Sequence, residues 1–346
     1  MRRPTYLSYS ALSLWEAEPD DFYMKYLADN RPARMPQTEP MSVGSAFDAY
    51  VKAELHEALF GKGADPEYEL EPLFESQVEE HNRDWAWKAG EYCFDRYKFM
   101  GAYDELLKLL EQSVEDPRFE CKLNGVLGAL EVPFTGKPDC RFILDLGQGR
   151  ISVVLDWKVR GFCSKSAPSP SKGYMLCRDA YDPIPNAKGV PKASRSHEKS
   201  HKLYMEHDFR GLTINRDYME NCSKDYADQC SLYGWLLGEP VGSEALVFID
   251  ELICKPTGNA LEGQYPLLRI ANHRARVKPE YQQKLIERVE SCWSAITSGH
   301  VFTDVSREES DRRIEMLGDV SIGLASDGSP EEDFFSEVVR PQTYKR

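Results

Sequence analysis

An α/β fold with a central mixed β-sheet flanked by helices is what this sequence predicts, and three observations predict it. Two apolar runs, Glu131 to Leu144 and Ile151 to Val159, flank the turn signal Gly147-Gln148-Gly149 and read together as a β-hairpin. Two further runs, Glu244 to Cys254 and Leu267 to Ala275, read as additional strands. Around these lie segments in which apolar residues recur at helical spacing, and strands flanked by such helices make a layered α/β core.

Along the chain, Ser8 or Ser10 can N-cap a helix running to about Asn30, and the Pro-rich segment Arg31 to Pro40 connects it to a helix over Gly44 to Phe60. Ser76 to Glu115 predicts one or two helices. Their aromatic residues, Trp85, Trp87, Tyr92, Phe94, Tyr97 and Tyr103, are expected to form a core-facing stripe rather than a platform for bases. After the hairpin comes an excursion from Arg160 to Arg216, interrupted by Pro168, Pro170, Pro183, Pro185 and Pro191, which reads as a loop-rich insertion. A helix over Asp217 to Leu237, the two later strands and a helix over Lys278 to Ser298 follow. The last helix is expected on the sheet through Tyr281, Leu285, Val289, Trp293 and Ile296. The expected organisation is one domain over residues 1–300, carrying the insertion at 160–216, and an acidic tail over residues 301–346.

The 346 residues carry a formal charge of −14, which would repel a nucleic acid if spread evenly. The charge is not even. Between Lys158 and Lys202 ten basic residues face three acidic ones, a local excess of about +7, whereas Asp304 to Glu337 holds eleven acids against three arginines, about −8. The basic insertion is expected to lie along a phosphate backbone and the acidic stretch to be solvated. Nine cysteines, an odd number with no C-x-x-C pair, predict neither an iron–sulfur cluster nor a structural zinc. With no apolar leader and no membrane-length run, a cytoplasmic protein without membrane association is expected. No G-x-x-x-x-G-K-[ST] element is present, so no nucleotide is expected to bind.

The chemistry is concentrated in the hairpin. Gly136-Lys137-Pro138-Asp139 is followed, seventeen positions after Asp139, by Asp156-Trp157-Lys158. Alternation along the second strand puts Ile151, Val153, Leu155 and Trp157 on one face and Asp156 with Lys158 on the other. Two carboxylates suit a hard divalent cation such as Mg²⁺ or Mn²⁺, and an adjacent lysine can steer a water or stabilise charge that develops on a phosphate. By itself a D-x-K triplet far more often marks the solvated edge of an amphipathic strand. On the later helix Gln229 and Tyr233 stand four apart and share a face, from which they can bond a phosphate or a ligand carboxylate, or simply fill a core.

Four stretches in order resemble the PD-(D/E)XK nucleases, and among them the RecB-like branch that includes phage-type exonucleases. They are Tyr6 to Glu16 with Pro19 and Phe22-Tyr23; Met41-Ser42-Val43-Gly44-Ser45-Ala46-Phe47-Asp48-Ala49-Tyr50; the hairpin; and Gln229-Cys230-Ser231-Leu232-Tyr233. The resemblance implies a restriction-endonuclease-like core in which Asp139 and Asp156 hold Mg²⁺ or Mn²⁺. Asp48 stands where the family usually has a histidine, and the Trp157 carbonyl completes the ligands. Lys158 then positions the attacking water, and Gln229 and Tyr233 orient substrate and site. Glu18, where cluster-bearing members have a cysteine, departs from that subgroup.

What this implies is a metal-dependent DNA exonuclease of recombination, repair or phage DNA metabolism, in the cytoplasm of a bacterial or phage-infected cell. DNA is the expected partner, with a helicase or single-strand annealing protein as a further candidate. A sequence- or structure-specific endonuclease, a non-catalytic DNA-binding protein of the same fold and an acidic interaction protein are the alternatives.

Overall fold

A computed structural model describes residues 1–145, 147, 149–165, 175–177, 205–209, 212–215, 223–237, 245–254, 260–265, 267–277 and 279–324. The chain divides into two compact units, each assembled from separate segments. The larger comprises Pro36–Leu123 and Gly136–Gln283; the smaller comprises Met1–Met35, Asn124–Thr135 and the chain from Lys284.

In the smaller unit, helix α1 (Tyr9–Ala17) is N-capped by Ser8, whose Oγ accepts from the Ala11 amide. It stops well short of Asn30, because Pro19 starts a new helical turn, Pro19–Phe22, that runs into a wide π-turn over Tyr23–Leu27. Residue Leu7 exchanges backbone hydrogen bonds with Pro133 and Thr135. The acidic stretch read as a tail begins in a helix, Arg307–Leu324, that buries Ser310, Leu317 and Ser321 and ties Arg313 to Asp20 at 2.6 Å. These three buried positions recur at helical spacing, while the acids Glu308, Glu309, Asp311, Glu315 and Asp319 are exposed. Residues 325–346 lie outside the described part.

The larger unit is α/β. Its strands are β1 (Arg118–Phe119), β4 (Cys140–Asp145), β5 (Arg150–Arg160), β6 (Met175–Cys177), β7 (Met205–Phe209), β8 (Leu212–Asn215), β9 (Ala245–Cys254) and β10 (Leu268–Val277). They form a mixed sheet in the order β1-β4-β5-β9-β10-β8-β7, with β6 also on β10. Strand β5 runs antiparallel to β4 and parallel to β9, and β9 runs antiparallel to β10. The central strands are apolar on both faces, as Val153-Val154-Leu155 and Leu246-Val247-Phe248-Ile249 show, all of them buried. Helices cover both faces. One is packed by α2 (Glu39–Phe60) and α4 (Arg83–Phe99), which share a cluster with Val153, Leu155, Trp157 and Phe248. The other is packed by α6 (Lys224–Leu236), whose Ala227, Cys230 and Tyr233 meet Val154, Val247 and Ile249. Two shorter helices, α3 (Leu70–Gln77) and α5 (Ala102–Leu110), complete the α2 side.

Several boundaries differ from the sequence reading. The run Glu131 to Leu144 is two strands: β3 (Val132–Gly136) pairs with β2 (Leu123–Leu127) in a separate two-stranded sheet, and β4 restarts at Cys140. Pro138 lacks the amide that a continuous ladder needs at this point. The second helix starts five residues before Gly44, at Glu39, because Pro40 is suited to a helical first turn. The excursion from Arg160 contains β6, β7 and β8, which interrupted apolar patterning concealed. Most of its basic residues, from Lys172 to Lys202, lie outside the described part. The aromatic stripe is core: Phe94, Tyr97 and Tyr103 are buried, and the Phe47 and Tyr97 rings meet edge to face at 5.6 Å.

Helices α2 and α4 cross at Gly90, where a Cβ would lie 2.6 Å from Ala46 Cβ and 2.9 Å from its carbonyl carbon. A mid-helix glycine costs about 1 kcal/mol relative to alanine, so only this close approach explains its presence. Gly90→Ala is therefore expected to destabilise the protein by about 1–3 kcal/mol, because overpacking against backbone outweighs the gain in helix propensity. Urea unfolding of the variant measures it; a gain in stability would contradict the packing.

Candidate functional site

Helix α2 carries Gly44, Asp48 and Lys52 four residues apart, on one stripe beside the core stripe of Val43, Phe47, Val51 and Leu55. Gly44 approaches the sheet, its missing Cβ lying 4.0 Å from the Val159 carbonyl oxygen. Residues Asp48 and Lys52 reach the open end of the β4–β5 pair.

That end is built by two aspartates. Cys140 pairs with Leu155, so the next step along each strand sets Asp139 opposite Asp156. Here side chains replace the ladder: the Asp156 Oδ1 accepts from the Asp139 amide at 3.3 Å, and the Asp139 Oδ2 accepts from the Trp157 amide at 2.8 Å. Each carboxylate satisfies a backbone donor of the other strand. The remaining oxygens point elsewhere. Asp156 Oδ2 lies 2.7 Å from the Lys158 ammonium, which stands 5.2 Å from the centre of the Tyr226 ring on α6.

Glu120 joins from the turn after β1. Its φ of 51° is in the left-handed region that side-chain-bearing residues rarely adopt, and its amide is held by the Asp139 carbonyl at 3.1 Å. One oxygen from each of Asp48, Glu120 and Asp139 lies within 4.8 Å of the others. Fully buried Lys52 donates to Asp48 and Glu120 and stands 3.8 Å from Asp139, while Lys137 pairs with the second oxygen of Glu120.

Charge governs these groups. Burial pushes the Asp139 carboxyl well above the usual carboxylate range, with the neighbouring Asp156 adding to it. Burial also raises Asp48, although Lys52 pulls against it. For Glu120 burial is outweighed by Lys52 and Lys137, and the carboxyl is held below its ordinary value. Burial disfavours both lysine ammoniums, but the Asp48, Asp139 and Glu120 charges around Lys52, and those of Asp156 and Asp139 around Lys158, raise both above the ordinary lysine value.

On α6, Gln229 Nε2 donates to the Tyr233 hydroxyl at 2.8 Å, and the Cδ1–Cε1 side of the buried Tyr233 ring packs against Gly136. A Cβ at Gly136 would lie 2.2 Å from Tyr233 Cε1. The glycine of the Gly-Lys-Pro-Asp run is thus the seat of the tyrosine of the Gln-x-x-x-Tyr element, which brings two distant motifs into contact. Burial, reinforced by Asp156, raises the Tyr233 hydroxyl above its ordinary value.

The donor set suits a hard cation: three carboxylates converge, and among the described residues the buried Asp48 Oδ1 has no hydrogen-bond partner. Compared with protein-family models, with curated proteins and with solved structures, the chain has no significant match.

Of the residues singled out in the sequence, Asp48 and Asp139 lie in the three-carboxylate cluster, Asp156 and Lys158 adjoin it through Asp139, and Gln229 with Tyr233 closes over Gly136. Trp157 meets the site through its amide, donated to Asp139, while its ring packs into the opposite core. Sequence reasoning missed Glu120, Lys52 and Lys137 as partners. Lys52 sits one helical turn after Asp48 and was legible as an i,i+4 pair. Nothing in the local pattern marks Glu120, whose role depends on an unusual backbone conformation.

Gly136→Ala is expected to expel the Tyr233 ring at a cost of about 1–3 kcal/mol. Because the two positions share one contact, Tyr233→Ala should cost less in the Gly136→Ala background than alone. A double-mutant cycle by urea unfolding checks this; additive costs would contradict the contact.

Proposed function

We propose that the chain is a divalent-metal-dependent deoxyribonuclease with a PD-(D/E)XK-type, restriction-endonuclease-like core, acting as an exonuclease in recombination, repair or phage DNA metabolism. The observation that carries this reading is the Asp139–Asp156 exchange across the end of β4 and β5, with Lys158 paired to the free oxygen of Asp156. It sets two carboxylates and an ammonium at one strand end, with Lys158 toward α6 and the spare Asp139 oxygen toward Lys52 of α2.

Asp48, Glu120 and Asp139 would hold the cation. Bound there, a divalent ion supplies positive charge that polarises water and offsets the charge of a phosphodiester. The chain's own residues do the rest. Lys158, kept charged by Asp156, directs a water oxygen toward phosphorus and stabilises the extra negative charge as that oxygen bonds and the ester oxygen leaves. Asp156 fixes Lys158 through Oδ2 while Oδ1 holds the backbone of Asp139, so ammonium and carboxylate keep their spacing. Tyr233, held by Gln229, restricts the movement of the Gly136 to Asp139 segment that carries the metal-facing acid.

A second reading is favoured by Lys52, whose ammonium already sits among the three carboxylates. A chain that keeps it there permanently would bind DNA without cutting it.

Linear duplex, closed circular and single-stranded DNA, end-labelled and incubated with Mg²⁺, Mn²⁺ or EDTA, separate the readings. Linear DNA is expected to be lost only with metal, circles to be spared, and Lys158→Ala and Asp156→Ala each to lower the rate by about 10²-fold or more. Cutting of circles would make the protein an endonuclease. Wild-type activity in either variant would overturn the mechanism, and binding without cleavage would select the second reading.

A further inference from the structure

The role of Lys52 can be taken further, on the basis of the metal-dependent reading above. We propose that Lys52 is the resident cation of the carboxylate centre and that a divalent ion enters by displacing its ammonium from Asp48, Glu120 and Asp139.

The geometry supports competition for one place. Lys52 has no solvent exposure, and its Nζ donates to Asp48 and Glu120 and lies within 3.8 Å of Asp139, the same three groups whose oxygens converge within 4.8 Å. An ammonium and a hard cation both seek carboxylate oxygens, and they cannot share this volume. The charges point the same way. Three carboxylates face the one Lys52 ammonium at their centre, and a divalent ion in its place would offset more of their charge than a single ammonium does. Asp48 Oδ1, without a hydrogen-bond partner among the described residues, is the acceptor that the single ammonium leaves over. Lys52 is also built to withdraw: its head is carried on a flexible four-carbon stem, while the acids are fixed, Asp139 by the Trp157 amide and Glu120 by its backbone bond to Asp139.

Two consequences separate a displaceable lysine from a permanent strut. The metal-free protein is protected from the mutual repulsion of its acids, and metal affinity is set below what the acids alone would provide. Removing the ammonium while keeping the stem length should therefore weaken the metal-free fold and strengthen metal binding together.

The test uses the full-length protein without DNA. Calorimetric titration with Mn²⁺ compares wild type with Lys52→Met and Lys52→Gln. At least a tenfold tighter Kd is expected in the variants, together with a larger rise in Tm on adding Mn²⁺ than wild type shows. An unchanged or weaker Kd in a folded variant overturns the proposal. Should both variants fail to fold, wild type supplied with ¹³Cε-labelled lysine decides. The buried Lys52 resonance is expected to shift to an exposed environment as Mg²⁺ saturates the site, and a Lys52 signal unmoved while calorimetry shows Mg²⁺ bound overturns the proposal. If no form of the protein binds a divalent ion, the metal-dependent reading itself fails, and this inference with it.

Discussion

The reciprocal bonding of Asp139 and Asp156 is the constraint on which the site depends. Strands β4 and β5 separate at this point, and their last backbone amides would be left without partners; each finds one in the carboxylate of the opposite aspartate. A buried amide without a partner costs about 1–3 kcal/mol, so these side chains are fixed by the needs of the sheet. The fixed carboxylates then define where every other charge can go. Lys158 pairs with the oxygen that Asp156 has spare, Lys52 approaches the oxygen that Asp139 has spare, and Glu120 is drawn in through its own amide to the Asp139 carbonyl. Structure and chemistry use opposite oxygens of the same two residues.

The two faces of β5 carry different tasks with no conflict between them. Val153, Leu155 and Trp157 anchor the sheet to α2 and α4, and the alternate positions pass from apolar Val154 to Asp156 and Lys158 under the end of α6. An apolar strand with charges only at its end is rigid where it is buried and polar where solvent reaches it, Lys158 being 22 % exposed and Asp156 only 2 %. Such a gradient sets a buried carboxylate against one ammonium at the edge of the solvent.

How far the sequence disclosed this follows from the range of the interactions. Alternation along Ile151 to Lys158 is local, and it assigned the faces of β5 correctly, as the helical spacing of Phe94 and Tyr97 placed them in the core. The hairpin turn was legible because Gly147 and Gly149 adopt positive φ, as a tight reversal demands. What escaped was fixed by distant partners. Strand β3 pairs with β2 and not with the central sheet, a choice that the run Val132 to Gly136 does not encode by itself. Gly136 read as one more residue of a continuous strand, and it is glycine because Tyr233, far along the chain, occupies the space of its side chain. The helical start of the acidic C-terminal stretch was hidden because its buried face uses small residues, Ser310 and Ser321, which a hydropathy pattern passes over.

Placing Asp48 and Lys52 one turn apart on α2 has a consequence for how the protein reaches its native state. Two carboxylates about 4 Å apart repel by about 4 kcal/mol at an effective dielectric constant of about 20, and a folding chain that gathered Asp48, Glu120 and Asp139 without a counter-charge would meet that barrier late, when most of its entropy was already lost. Because helix α2 holds Asp48 and Lys52 as an i,i+4 pair, that stripe of the helix docks with its acid already matched by an ammonium. The cation is carried by the helix itself, so the acids of the sheet meet a counter-charge wherever the helix is docked.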